Sequence, residues 1–266
     1  MVEWGAFALV FVAGLITALA TGIGALPFFF VHDVSDRLNV SLWGVASGIM
    51  VAASIFGLIP EGLNAGPWTT VAVGLVAGGL LVLVANDLLM DADIDSRTYE
   101  EADFKKLVLI LGVLTVHSFP EGIAIGVSFA ELNLTSGFPL LGFTVPALAI
   151  AMTIAISIHN IPEGVAISIP LRTMGVAEWK MVWWSIFSSL PQPIGAVIAF
   201  GFVQLAEPLL PAGFGFAAGA MIYLVFSEFI PDALEAGAGL DGKGYRELVV
   251  GFLAGGGAMV LLLVVV

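Results

Sequence analysis

Long apolar runs, separated by short polar stretches, follow one another along almost the whole chain. A helix needs about 20 mainly apolar residues to cross the hydrocarbon core of a bilayer, so each run of that length indicates a membrane span. The sequence predicts eight spans, at residues 4–30, 42–60, 67–88, 107–130, 143–170, 181–205, 211–231 and 247–266. We therefore expect one all-α integral membrane domain over residues 1–266, with no separate soluble catalytic domain.

Composition agrees with this fold class and narrows the chemistry. Hydrophobic residues make up 59% of the chain and charged residues only 11%, with a mean hydropathy of +1.08. Cysteine is absent from the sequence, so a bound metal would need His, carboxylate, amide, Met or water ligands. The net charge of -13 argues against a nucleic-acid partner. It indicates either cation attraction at a pore mouth or the acidic bias of a salt-adapted organism.

All eight Lys and Arg residues lie in alternate connections between the predicted spans. The first connection holds Arg37, the third Arg97, Lys105 and Lys106, the fifth Arg172 and Lys180, and the seventh Lys243 and Arg246. Since Lys and Arg are retained on the cytoplasmic side of the cell membrane, this partition predicts that both termini lie outside. The acidic connection 89–106 is then cytoplasmic, either as a solvated loop or as a cation-collecting segment.

A short internal repeat occupies the fourth and fifth predicted spans. Residues 117–122, His-Ser-Phe-Pro-Glu-Gly, recur at 159–164 as His-Asn-Ile-Pro-Glu-Gly. The charge pattern orients these two spans in opposite directions, so a two-fold axis in the membrane plane would bring the copies face to face. Inverted pseudo-symmetry of this kind is typical of transporters that bind their substrate near the bilayer midplane.

Each copy of the repeat places a His and a Glu four residues apart, on one face of a helix. His117 follows Leu107 by ten residues, or about 15 Å of helix, which places it near the middle of the bilayer. A charged residue there costs about 2.5–3.5 kcal/mol, and a cation shared by Glu121 and Glu163 would offset that cost. The alternative is that both carboxyl groups are protonated, or bonded to His117 and His159, and only hold the helices together.

Each motif also contains a proline, Pro120 or Pro162, which displaces the carbonyl four residues earlier. We expect an opened, ion-lining backbone at both places. Imidazole together with carboxylate suits zinc, iron, manganese or cobalt, and among these we favour zinc.

The paired motifs, their spacing, the eight predicted spans and the long inner loop resemble the ZIP (Zrt-, Irt-like) family of divalent metal transporters. The resemblance covers essentially the whole chain and implies a ZIP-like bundle with inverted pseudo-symmetry. It implies a metal site of His117, Glu121, His159 and Glu163, to which Met50 can add a thioether. Met50 has an alternative role as core filler.

The resemblance also implies an adjacent second metal site, bridged by the two glutamates, to which Ser118, Asn160 and Glu228 contribute. Ser118 stands where the family often has Asn and is a poorer ligand. Gln192 stands where an acid is frequent, and it either tunes access or forms an interhelical hydrogen bond. Glu228 is a ligand or exit-path residue unless it lies at the membrane interface.

These features predict a transporter rather than an enzyme, with the bound ion as substrate and no prosthetic group. The expected substrates are zinc and also iron, manganese, cadmium and cobalt, carried inward across the cell membrane. An intramembrane metalloprotease would need His-Glu-x-x-His, which the sequence lacks. A metal sensor that does not transport and a proton/cation antiporter remain alternatives. Small residues such as Gly74, Gly78 and Gly79 would serve internal packing or a homodimer face.

Overall fold

The computed structural model describes residues 4–30, 34–90, 118–130, 132, 137–173, 175–205 and 207–265. The α-helices are α1 Trp4–Ala25, α2 Asp36–Ala52, α3 Ile59–Ala65, α4 Trp68–Met90, α5 at residues 118–128, α6 Ala147–Thr173, α7 Glu178–Ser189, α8 Pro191–Leu205, α9 Leu210–Leu224, α10 Ile230–Ala236 and α11 Tyr245–Val265. Two π-helical segments, Ala53–Leu58 and Val225–Phe229, join α2 to α3 and α9 to α10. Short 3-10 turns lie at Leu26–Phe29, Glu207–Leu209 and Asp241–Gly244.

Six helical stretches among the described residues are long and apolar enough to cross a membrane: Trp4–Phe29, Asp36–Ala65, Ala147–Ile169, Glu178–Val203, Leu210–Ala236 and Asp241–Val265. They correspond to the first, second and fifth to eighth predicted spans. The third predicted span corresponds to α4, whose apolar part is the shorter Trp68–Val84. The fourth is described only from residue 118, and residues 91–117, with most of the acidic connection, lie outside the described residues. The helical, multi-pass membrane class is confirmed.

One short element departs from the all-α expectation. Strands β1 Phe138–Leu140 and β2 Phe143–Val145 form an antiparallel hairpin before α6. The two residues of its turn, Leu141 and Gly142, have φ values of 49° and 86°. Two consecutive residues with positive φ are the geometry of the tight turns that join antiparallel strands.

The proline in the second motif does not open its helix. α6 stays α-helical from Ala147 to Thr173, through Pro162, so the expectation of a broken backbone there is wrong. α5 is likewise continuous through Pro120 over residues 118–128. A proline removes one hydrogen bond of the helix, and α6 continues as an α-helix beyond it to Thr173.

Prolines in the second and seventh spans are accommodated differently, because a π-helical segment precedes each of them. Pro60 follows the segment Ala53–Leu58, and Pro231 follows Val225–Phe229. A proline ring clashes with the carbonyl four residues earlier, which belongs here to Phe56 or Ser227, inside the π-helical segment. The wider π turn relieves that clash and changes the direction of the helix axis beyond it.

The helices pack in two groups. In the first, α2 lies along α11 and α4 lies along α9; in the second, α1 packs against α6, α7 and α8. α2 and α6 form the main contact between the groups among the described helices. The outward faces are apolar, as on α11, where Val249, Val250, Leu253, Leu261 and Val264 are more than half exposed. A face of this kind suits contact with lipid.

Glycines set the close approach of α4 to α9. A Cβ atom at Gly74 would meet the Ala212 carbonyl, and one at Gly78 would meet the Phe216 carbonyl and lie 2.9 Å from the Ala220 nitrogen. These two glycines therefore serve internal packing rather than a dimer face. Membrane helices associate through such backbone contacts, because burial from lipid supplies little hydrophobic driving force.

Gly78→Ala is expected to lower the free energy of unfolding by about 1–3 kcal/mol, because the new methyl group overlaps backbone atoms of α9. Gly257→Ala on α11 is the matched control, since a Cβ atom there meets nothing within 4 Å. Thermal unfolding of both purified variants in detergent measures the difference. Equal stability of the two variants would contradict the proposed packing.

Candidate metal centre

Three side chains that can bind metal meet inside the molecule. Glu121 of α5 and His159 and Glu163 of α6 each offer one ligand atom, and these atoms all lie within 4.8 Å of one another. All three side chains are 0% exposed. They belong to the two copies of the repeat, so the predicted meeting of the motifs holds for the three residues that the structure describes.

The hydrogen bonds of the two glutamates differ. His159 Nε2 lies 3.0 Å from Glu121 Oε1, and the Gln192 side-chain amide donates to Glu121 Oε2. Both carboxylate oxygens of Glu163, by contrast, find no hydrogen-bond partner within the described part of the chain, and neither does His159 Nδ1. A buried polar group in that condition carries its full desolvation cost. Among the described residues, one carboxylate is therefore held by protein groups and the other is not.

The glycine that ends each motif positions its helix. A Cβ atom at Gly164 would meet the Thr21 carbonyl of α1 and lie 3.2 Å from the Gly24 Cα. A Cβ atom at Gly122 would meet the backbone of Gln192 on α8. Each site helix is thus packed backbone to backbone against a neighbour, one residue after its glutamate. These two glycines therefore permit a close approach of the helices at the site.

A neutral polar network borders the acidic group. Asn160 donates through Nδ2 to the Thr17 carbonyl at 2.8 Å and to Gln192 Oε1 at 3.1 Å. The Thr17 hydroxyl lies 2.7 Å from the same Gln192 oxygen. One helical turn further along α1, the hydroxyls of Thr21 and Ser189 are 2.8 Å apart. The predicted interhelical role of Gln192 is confirmed by these bonds to α1, α5 and α6.

Sequence reasoning missed Thr17. Its signal was present, because Thr17 and Thr21 are four residues apart and so share one face of an otherwise apolar helix. A pair of hydroxyls at that spacing in a membrane span favours an interhelical hydrogen-bonded face.

Three of the four remaining predicted site residues lie in the described part of the chain. His117 lies outside the described residues. Ser118, at the described start of α5, and Met50, on α2, are both wholly buried. Glu228 is partly buried in the second π-helical segment and is not among the three grouped side chains.

Apolar helices long enough to cross a membrane thus enclose a buried imidazole and two carboxyl groups, which defines a multi-pass membrane protein with a candidate metal site. Residues 93–263 match the family model of ZIP zinc transporters, and the chain belongs to that family. The resemblance drawn from the motifs is confirmed.

Relatives from several organisms agree with this assignment. The chain is 40% identical over 222 residues to a proposed zinc transporter of Arabidopsis thaliana, an alignment that covers 83% of this chain but only 34% of that protein. It is 30% identical over 237 residues to the zinc transporter GufA of Myxococcus xanthus, covering 85% of this chain and 89% of GufA. It is 32% identical over 230 residues to the zinc transporter ZIPB of Bordetella bronchiseptica, covering 82% and 70%.

Glu163→Gln is expected to abolish most of the stabilisation that zinc gives to the purified protein, because the amide replaces the carboxylate that lacks a partner among the described residues. A ligand at about 100 times its dissociation constant stabilises a native state by about 2.7 kcal/mol. Thermal unfolding in zinc and in chelator measures this difference. Glu235→Gln, at an exposed position of α10, is the control and should respond like the unmodified chain. An undiminished zinc response in Glu163→Gln would exclude that carboxylate as a ligand.

Proposed function

We propose that this protein imports zinc, and also iron, manganese, cadmium and cobalt, across the cell membrane through a site built from the two repeated motifs. The observation that carries the proposal is the carboxylate of Glu163. It is wholly buried, it faces Glu121 and His159, and its two oxygens have no hydrogen-bond partner in the described residues.

A structural role alone accounts for one glutamate and not for the other. Glu121 bonds to His159 and Gln192, as a residue that merely holds helices together would do. Glu163 makes no such bond to the residues described, so the same explanation does not extend to it. A divalent cation between the two carboxylates would satisfy the free oxygens and offset both charges.

The donor set favours a transition metal. Imidazole nitrogen with carboxylate oxygen suits zinc and its neighbours, and zinc takes about four ligands, whereas calcium takes six to eight oxygens. We propose that His117 completes the first site with Glu121, His159 and Glu163, and that Met50 adds a thioether.

A second, adjacent site is proposed for Ser118, Asn160 and Glu228, bridged to the first by the two glutamates. The support for it lies in Asn160, whose side-chain oxygen is buried and lacks a partner among described groups, while its nitrogen is fully engaged. An amide oxygen in that position is a suitable metal ligand.

The two helix groups suggest how the site is exposed to each side in turn. Asn160 and His159 lie on α6, which packs with α1, α7 and α8, whereas α2, α4, α9 and α11 form the other group. We propose that one group moves against the other around a site near the midplane. His159 follows Ala147, the first residue of α6, by 12 residues, or about 18 Å of helix, which agrees with that depth.

The topology proposed for this transport is the one predicted from charge: eight spans with inverted pseudo-symmetry, both termini outside and the acidic connection inside. The ion would then leave toward the acidic connection. A homodimer stays a prediction, and Gly74 and Gly78 do not support it because they pack internally.

The test is zinc uptake by proteoliposomes that contain a zinc-sensitive dye. We expect time-dependent uptake by the unmodified chain and a fall of about 100-fold in Glu163→Gln and His159→Ala, since each removes a ligand. Glu235→Gln is the matched acidic control and should transport normally. Stoichiometric zinc binding without uptake would favour a sensor instead, and proton flux without any metal would favour an antiporter.

A further inference from the structure

The carboxylate of Glu121 is reached from α1 through a short series of side chains. The Thr17 hydroxyl lies 2.7 Å from Gln192 Oε1, and the amide nitrogen of Gln192 donates to Glu121 Oε2. All three side chains are wholly buried. None of these contacts joins residues close in sequence, so the arrangement exists only because α1, α5 and α8 pack together.

The orientation of the Gln192 amide is determined by its neighbours. The Thr17 carbonyl accepts from the Asn160 amide group, which identifies that group as a donor, and the same group lies 3.1 Å from one atom of Gln192. That atom must therefore be the acceptor, Oε1. The Thr17 hydroxyl, which also lies 2.8 Å from the Gly14 carbonyl, shares its hydrogen between two acceptors. A reversed Gln192 would place its amino group against the Asn160 donor and turn its carbonyl toward the Glu121 carboxylate.

This arrangement engages one of the two carboxylate oxygens of Glu121 with Gln192. The Glu121 Oε2 accepts from the Gln192 amide, whereas the Glu121 Oε1 lies 3.0 Å from Nε2 of His159, which is another residue of the candidate metal group. A cation that displaces the bond to His159 would meet a single oxygen of Glu121. Glu163, with two unpartnered oxygens among the groups described, can offer both.

We propose that Thr17 and Gln192 are positioning residues that restrict Glu121 to one metal-binding oxygen and so favour zinc over calcium. This inference rests on the proposed function. Calcium needs six to eight oxygens and commonly takes both oxygens of a carboxylate, whereas zinc is satisfied by about four ligands. Each carboxylate oxygen withheld from the ion therefore weakens calcium binding more than zinc binding.

The experiment compares zinc and calcium binding to the full-length protein in detergent, together with the X-ray absorption spectrum of bound zinc. Thr17→Val keeps the shape of the side chain and removes the hydroxyl, so Gln192 loses one of its two anchors. We expect the preference for zinc over calcium to fall about tenfold and the zinc spectrum to gain a contribution from a two-oxygen carboxylate. Gln192→Leu, which removes the donor itself, should produce at least as large a change.

Two variants separate positioning from general packing. Thr17→Ser restores the hydroxyl and should recover the original preference. Thr21→Val removes the neighbouring hydroxyl of α1, which bonds Ser189 of α7 in the same helix group but does not touch Gln192, and it should leave both preference and spectrum unchanged.

The outcomes are distinct. An unchanged preference and spectrum in Thr17→Val, or an equal change in Thr21→Val, would overturn the positioning role while zinc binding by the unmodified chain still stands. Absence of zinc binding by the unmodified chain would overturn the proposed function and this role with it.

Discussion

The structure depends on how two carboxyl groups are kept in the interior of an apolar helix bundle. Glu121 and Glu163 have the same place in two copies of one motif, yet their surroundings differ. Gln192 of α8 donates to Glu121, whereas neither oxygen of Glu163 has a hydrogen-bond partner in the described part of the chain. The repeat is therefore nearly symmetric in sequence and asymmetric in hydrogen bonding. Within the described part of the chain, one glutamate is hydrogen-bonded by protein groups and the other is not.

That arrangement requires helices that approach more closely than side chains normally allow. Gly122 and Gly164 follow the two glutamates directly and contact the backbones of α8 and α1. A β-carbon at either position would push a site helix away and lengthen the separations among the ligand atoms. Because lipid offers no strong hydrophobic drive for helix association, these van der Waals contacts fix the geometry of the site. The same glycines that pack the bundle thus determine the distance between its charges.

The parts of this fold that could be predicted from the sequence are those with a one-dimensional signal. Apolar runs indicated the spans, and the repeat indicated which helices carry the chemistry. The contact of Thr17 with Gln192 joins residues 175 positions apart, and nothing local indicates it. Hydrophobic periodicity could not predict which face of each helix packs internally, because a face that contacts lipid and a face that packs internally are both apolar. The π-helical segments before Pro60 and Pro231, and the unbroken helix through Pro162, show that a proline alone does not determine the backbone around it.

The choice of glutamine at position 192 follows from the same electrostatics. An ionised acid there would only accept hydrogen bonds, so it would repel Glu121 and add a third negative charge to the group. An amide accepts on one side and donates on the other, and in this way it joins Thr17 and Asn160 to Glu121 without adding charge. A neutral amide at this position therefore has two effects. It hydrogen-bonds α8 to α1, α5 and α6, and it adds no negative charge to that of the two glutamates. A site of two carboxylates and an imidazole approaches neutrality with one divalent ion, which is the charge that a low-dielectric interior holds at the smallest cost.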